Sequence, residues 1–293
     1  MTSMMARSGG GCLPVGGFVA GCVTFASAPT SSPSGGRAGL DVLGARQVLV
    51  VRGRRGAGGV VCAGLMDAYN VTDPTERAAI EKLSREARQK GWWSRYVNVV
   101  DPAYAAYAAV EWDASELYNV ETNLVPGLLQ VPEYTKALIQ LQVSEATGDH
   151  VEAQVDVRRE RKAILTRENP LQLWVIVAEN VLYHQVGSRD VMKAQLESLL
   201  ADSRKQNIEL QILPREDPMN ACLFGPFVIM SFPTSAETDV VYTESPTSTL
   251  YYEDAADVET YTTLFRRLNM AAANVSKSRA LIQNALHEME QGR

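Results

Sequence analysis

The chain has 293 residues, 46% of them hydrophobic and 21% charged, which suits a soluble globular protein with room for one large domain or two small ones. That average hides a break: residues 1–64 hold 15 of the 21 glycines, six arginines, one acid (Asp41) and no lysine, whereas the rest carries 22 Lys/Arg against 33 Asp/Glu, a net of −11. A body so acidic is repelled by a phosphate backbone, which argues against a DNA-binding surface of its own, and no apolar run reaches the 18 or so residues of a membrane helix.

Residues 1–64 are low in complexity and bury too little apolar surface to offset the entropy of ordering them. Cys12, Cys22 and Cys62 lie there, and the body keeps only Cys222, so the body forms no internal disulfide and suits a reducing, cytoplasmic compartment. Ala26-Ser27-Ala28 and Val19-Ala20-Gly21-Cys22 imitate export cleavage sites, but Pro14, Gly16, Gly17 and Gly21 break the apolar stretch that an export signal needs. Gly53 to Gly59 follows a strand-like run, yet it lacks the phosphate-loop lysine and a helix to present its N-terminus.

From Leu65 the pattern is that of folded sequence. Thr72 or Asp73 followed by Pro74 and Glu76 starts a helix that Gly91 ends, and Trp92 and Trp93 then anchor it on its own domain. Tyr104 to Trp112 reads as a short helix, Glu116 to Asn123 as extended chain, and Val125 to Gln130 as a helical turn. Pro132 to Gln142 and His150 to Arg167 continue helical, the latter carrying the body's one dense basic cluster, Arg158, Arg159, Arg161 and Lys162. Leu171 to Ala178 is a nearly continuous apolar run of strand length, as in a buried central strand. After a turn over Val181 to Gly187, Arg189 to Gln206 is an amphipathic helix and Ile208 to Leu213 an alternating strand stopped by Pro214. Phe227 to Phe232, Asp239 to Glu244 and Ser248 to Glu253 are short strands; Asp257 to Ala273 and Ser276 to Met289, the last capped by Ser276, are helices. Helices, a small mixed sheet with one crossover helix, a strand meander and closing helices make an α+β fold.

Nothing in the pattern specifies a reaction or a cofactor. His150, His184 and His287 are scattered without ligands at metal spacing, and no nucleophile elbow is present. Glu253, Asp254 and Asp257 read as the acidic start of a helix. The chain is therefore expected to be no enzyme and to hold no metal.

Several dispersed motifs do carry a resemblance. Leu65 to Pro74, Gly91-Trp92-Trp93, Val125 to Gln130 with Glu133-Tyr134, the basic helix, Gly225-Pro226-Phe227, Val241-Tyr242 with Glu244, and Ser278 to Ile282 together resemble actinobacterial Xre-type helix-turn-helix transcription regulators. The resemblance spans roughly residues 65–290. It implies an N-terminal DNA-binding domain followed by a large domain that senses a small molecule or a small acidic partner protein, with dimerisation usual for such regulators. It divides the chain into a leader (1–64), the last helix of the helix-turn-helix with a connecting helix (65–95), and a sensor domain (96–293). Where the recognition helix belongs, this sequence has the glycine-arginine leader. That segment is expected to be a frameshifted, truncated or mis-started DNA-binding domain, which the gene's other reading frames would reveal. Arg158 and Arg161 are candidates for an anionic ligand or acidic partner, against the plainer reading of a solvated face or ion pairs with Glu160 and Glu152. Glu116, Gln130 and Tyr134 are candidates to line a cleft between helices and sheet, against ordinary tertiary hydrogen bonding. The competing expectations are a stand-alone adaptor that binds intact regulators or small partners and, further off, an enzyme or an exported lipoprotein.

Overall fold

The structure, a computed structural model, describes residues 102–142, 148–222, 225–233, 238–246 and 248–291, with residues 67, 72–74, 77, 78, 92, 96 and 100 before them. The leader and most of the first expected helix lie outside these residues, although Pro74, Arg77 and Ala78 are helical and the Arg77 amide donates to the Asp73 carbonyl at 3.0 Å.

Six helices and six strands follow among the described residues: α1 (Pro102–Asp113), β1 (Glu116–Glu121), α2 (Pro132–Gln142), α3 (Gly148–Arg161), β2 (Gln172–Ala178), α4 (Arg189–Asp202), β3 (Ile208–Leu213), β4 (Phe227–Ser231), β5 (Val240–Ser245), β6 (Ser248–Tyr252), α5 (Ala255–Ala271) and α6 (Val275–Gln291). The fold is α+β, as the pattern of elements implies. Val125 to Gln130 tightens to one 3-10 turn, Gly127–Leu129. The helix expected to run on to Arg167 gives way at Lys162–Leu165 to 3-10 geometry. The one expected to reach Gln206 stops at Asp202, where the Ser203 hydroxyl donates back to the Leu200 carbonyl.

The strands form one sheet in the order β3-β2-β1-β4-β5-β6. β1, β2 and β3 run parallel; β4 is antiparallel to β1 and opens the antiparallel meander β4-β5-β6. β2 lies between β1 and β3 with all its residues from Val175 to Ala178 buried, which is why its sequence is apolar throughout rather than alternating.

Period-2 alternation splits β1 between two cores. Leu117 points into the larger one, with Leu173, Val175, Val228, Met230 and side chains of α1, α2, α4 and α6. Tyr118 and Val120 point the other way, toward Phe227, Ile229, Val241 and helix α5. The outer edge of β3 is closed by the α5–α6 connection. The Ile212 amide donates to Ser278 Oγ at 2.9 Å and its carbonyl accepts from the Ala273 amide at 2.9 Å, so the edge is covered at Ile212. α6 is capped by Asn274, whose Oδ1 accepts from the Lys277 amide at 2.9 Å, and not by Ser276. Asp254 caps α5 through the Ala256 amide, consistent with the acidic helix start. No helix among the described residues is long and apolar enough to cross a membrane.

Candidate functional site

The sheet topology marks one place for a cleft. The chain leaves the carboxyl end of β1 toward β2, while the connection from β3 passes to the other side and enters β4, whose first residue Phe227 pairs with Val120. Two connections that diverge at neighbouring strand ends leave a crevice between them, the usual location for ligands in open sheets with parallel strands.

A polar cluster fills this region on the face covered by α1 to α4. α1 is an alanine-rich helix (PAYAAYAAVEWD) whose Tyr104, Tyr107 and Glu111 recur every three or four residues and so share one side. Arg161 of α3 meets that side. Its Nε and Nη2 donate to the two carboxylate oxygens of Glu111, Nη2 at 2.7 Å, and its guanidinium stands over the rings of Tyr107 and Tyr104 at 4.9 and 5.7 Å. Burial opposes the charge on Arg161, but the Glu111 carboxylate beside it outweighs that and holds the guanidinium protonated well beyond its ordinary range. Bidentate geometry and tyrosine hydroxyls to satisfy the remaining donors are the conditions under which a buried pair is tolerated. The guanidinium also packs on the 3-10 turn: a β-carbon on Gly127 would lie 3.2 Å from Arg161 Nη1.

Arg158, one turn earlier, is different. Its Nη1 donates to Gln130 Oε1 at 3.1 Å and its guanidinium lies over Tyr104 at 5.9 Å; it forms no ion pair among the described residues, although the Glu244 carboxylate faces it. Burial accordingly lowers its pKa, only partly offset by Tyr104. Gln130 is a buried junction: Nε2 donates to the Val125 carbonyl at 2.8 Å, Oε1 also accepts from Thr135, and its backbone carbonyl accepts from Lys162 Nζ. Tyr134 is fully buried and its hydroxyl accepts from the Val125 amide.

The floor comes from the sheet. Asn119, Val228, Tyr242 and Tyr251 sit in register across β1, β4, β5 and β6, and the rings of Tyr107, Tyr242 and Tyr251 follow one another with centroids 4.5 and 5.2 Å apart. Glu121 closes the row at the end of β1. Burial pushes its carboxyl up to about 8, with Glu244 facing it adding to the rise and the hydrogen bond from Asn119 opposing it, which favours the protonated form at neutral pH. Asn119 is 7% exposed and its Oδ1 has no hydrogen-bonding partner; neither has the enclosed Tyr251 hydroxyl. Buried polar atoms left unsatisfied are few in native folds.

Of the residues singled out in the sequence, Gln130, Tyr134, Arg158 and Arg161 come together here. Glu116 does not: it lies at the opposite end of β1 on the other face, where it accepts from the Tyr118 hydroxyl at 2.6 Å. The acids expected to pair with the arginines are engaged elsewhere, Glu152 with Lys136 and Glu160 with the Tyr96 hydroxyl. Glu111, Tyr107, Asn119, Glu121, Tyr242 and Tyr251 were not anticipated as site residues. The stripe of Tyr104, Tyr107 and Glu111 on an alanine helix is the signal that points to the first of them. Among the described residues no group of His, Cys, Asp and Glu is placed to hold a metal ion.

Residues 104–284 match a family model described as a domain of unknown function, DUF5753. No curated protein and no solved structure matches the chain. The matched span contains every element from α1 to the middle of α6, and with them the whole cluster.

Proposed function

We propose, for a chain that belongs to the DUF5753 family, the role of the sensing half of a transcription regulator: a non-catalytic module whose cleft state is read by the segment upstream of it. The observation that carries this reading is that the two helices lining the cleft also grip that segment. Tyr104, Tyr107 and Glu111 face the cleft from α1, and Trp112 near the end of α1 receives Trp92 edge-on at 6.2 Å. Arg158 and Arg161 face it from α3, and Glu160 between them accepts from the Tyr96 hydroxyl at 2.9 Å. Trp92 and Tyr96 touch each other at 6.4 Å and pack on Val100, Ala105 and Val157. A ligand that moves α1 against α3 must therefore move Trp92, Tyr96 and Val100 with them, and the chain before them leads back to the stretch that resembles the end of a helix-turn-helix. Coupling of this kind needs a ligand with different affinity for the two arrangements.

The acidic body supports the division of labour, since DNA contact falls to whatever precedes it. The experiment is a gel shift with the upstream reading frame restored, using DNA from the gene's own locus. Retardation by the restored chain, altered by a Trp112→Ala change in the grip, is the expected outcome. A restored chain that retards no such fragment, or a gene with no helix-turn-helix in any frame upstream of codon 65, ends the reading. The outer edge of β6, which no strand among the described residues pairs, with Leu250 39% exposed, favours a second one, an adaptor that takes a strand of a small partner protein.

A further inference from the structure

We propose that the outer edge of β6 takes up, as an added strand, an extended basic segment of another protein, with an apolar centre flanked by Lys or Arg. This rests on the second, adaptor reading above and gives its partner a chemistry; the sensing role does not depend on it.

The two edges of the sheet differ. β3 is covered at Ile212 by the α5–α6 connection, whereas β6 ends the sheet with no strand beyond it among the described residues. Edges that stay single are usually blunted by lysine, proline, a bulge or an inward charge. β6 (STLYY) has none of these, and its register with β5 runs unbroken from Ser248 to Tyr252.

Register fixes what the edge offers. Only two residues separate Ser245 from Ser248, so this closing pair is a hydrogen-bonded one. Alternation then makes Thr243 with Leu250 and Val241 with Tyr252 the next bonded pairs. The amides and carbonyls of Thr249 and Tyr251 therefore point away from β5, toward the open side. Leu250 is exposed and shares its face with Tyr252, which packs against Tyr261 of α5 at 5.5 Å. An added strand finds backbone groups to pair with and an apolar shelf, Leu250 beside Tyr252, for its central side chains.

Charge selects the flanks. The 50 residues between Arg215 and Arg266 hold nine acids and no Lys, Arg or His, and they build β4, β5, β6 and most of α5. Glu216 and Glu259 lie against the bracketing arginines, and Glu244, opposite Thr249, faces Arg158 without an ion pair. Asp254 and Asp257, just beyond β6, are exposed and form no ion pair among the described residues. An acidic strand or a nucleic acid is repelled here. So is a second copy, because edge-to-edge pairing sets two such acidic stretches side by side. A basic strand is attracted, its cations near Glu244 at one end and near Asp254 and Asp257 at the other. The sign is opposite to that of the acidic partner that the basic cluster of α3 suggests in sequence.

The test is selection of random short peptides displayed on phage against the full chain, followed by anisotropy titration of the enriched peptides. The expected peptides carry an apolar centre between Lys or Arg residues. They bind about tenfold more weakly to Leu250→Lys, which repels them and leaves the β5–β6 ladder intact, and severalfold more weakly to Asp257→Lys. Thr249→Pro, which removes an outward amide only, should act like Leu250→Lys; if circular dichroism shows it unfolded, Leu250→Lys decides alone. Amide exchange should slow at Thr249 and Tyr251 on binding and stay unchanged at Leu250. Neutral or acidic peptides that still need this edge overturn the basic class and leave the adaptor reading standing. Thr249 and Tyr251 amides already protected in the free chain, or a dimer in sedimentation that Leu250→Lys abolishes, overturn the proposal in favour of an occupant from this chain itself. If no selected peptide loses affinity in these variants, the edge site falls and the adaptor reading with it, while the gel shift decides the sensing role separately.

Discussion

The two faces of the sheet use the same aromatic residues for opposite ends. Under α5, Tyr118 stacks on Trp174 at 4.8 Å and meets Phe265 edge-on at 5.2 Å, while Tyr261 joins Phe227 and Tyr252. Ring meets ring, and the face is closed. Under α1 and α3, rings meet guanidinium groups and each other, and buried polar atoms remain without partners. The difference lies in what the covering helix brings. α5 brings Val258, Tyr261, Leu264, Phe265 and Leu268, and α1 brings Tyr104, Tyr107 and Glu111. A face built only for stability has little reason to bury the Asn119 amide oxygen and the Tyr251 hydroxyl without partners, so the polar face is where function is to be sought.

Three measurements bear on this contrast. The largest effect is expected from Glu111→Leu, which leaves Arg161 buried and uncompensated: chemical denaturation should show a loss of about 4 kcal/mol, and adding Arg161→Met should restore most of it. A loss below about 1 kcal/mol would mean that the pair does not hold α1 to α3. Next is Phe265→Ala on the closed face, expected to cost about 3 kcal/mol by removing a buried ring, with no change in ligand affinity. A change in affinity there would show that the two faces are not independent. The smallest effect is expected from Arg158→Met, within about 0.5 kcal/mol of the parent, because no ion pair is lost. If it destabilises as much as Glu111→Leu, the two arginines have the same structural role and the contrast within the polar face fails.

Much of the fold was legible in the residues. The unbroken apolar run of β2 marks a strand buried on both faces, and it is one. Pro132 starts α2 where expected, the acidic cluster Glu253, Asp254 and Asp257 marks the start of α5, which begins at Ala255 and not at Asp257, and β4, β5 and β6 follow as three short strands. The site was legible only in part. The basic cluster on α3 drew notice, but its four members have four fates: Arg161 is buried against Glu111, Arg159 pairs with Asp156, Arg158 meets Gln130, and Lys162 holds the Gln130 carbonyl. Glu116 was placed in the cleft by its nearness to the 3-10 turn in sequence. Strand alternation and the direction of β1 put it on the other face and at the other end.

What the sequence determined by itself is the local and one-dimensional part: a compositional break at residue 64, the order and type of elements, an α+β class, and an acidic body. These follow from periodicity, capping and charge, which act over a few residues. Only the tertiary structure decided which arginine is neutralised and which is not. Glu111 lies 50 residues from Arg161, and Asn119, Tyr242 and Tyr251 meet through the pairing of β1 with β4, β5 and β6. Strand register and helix docking make those contacts, and both are set by how the whole apolar core packs, which no local pattern records.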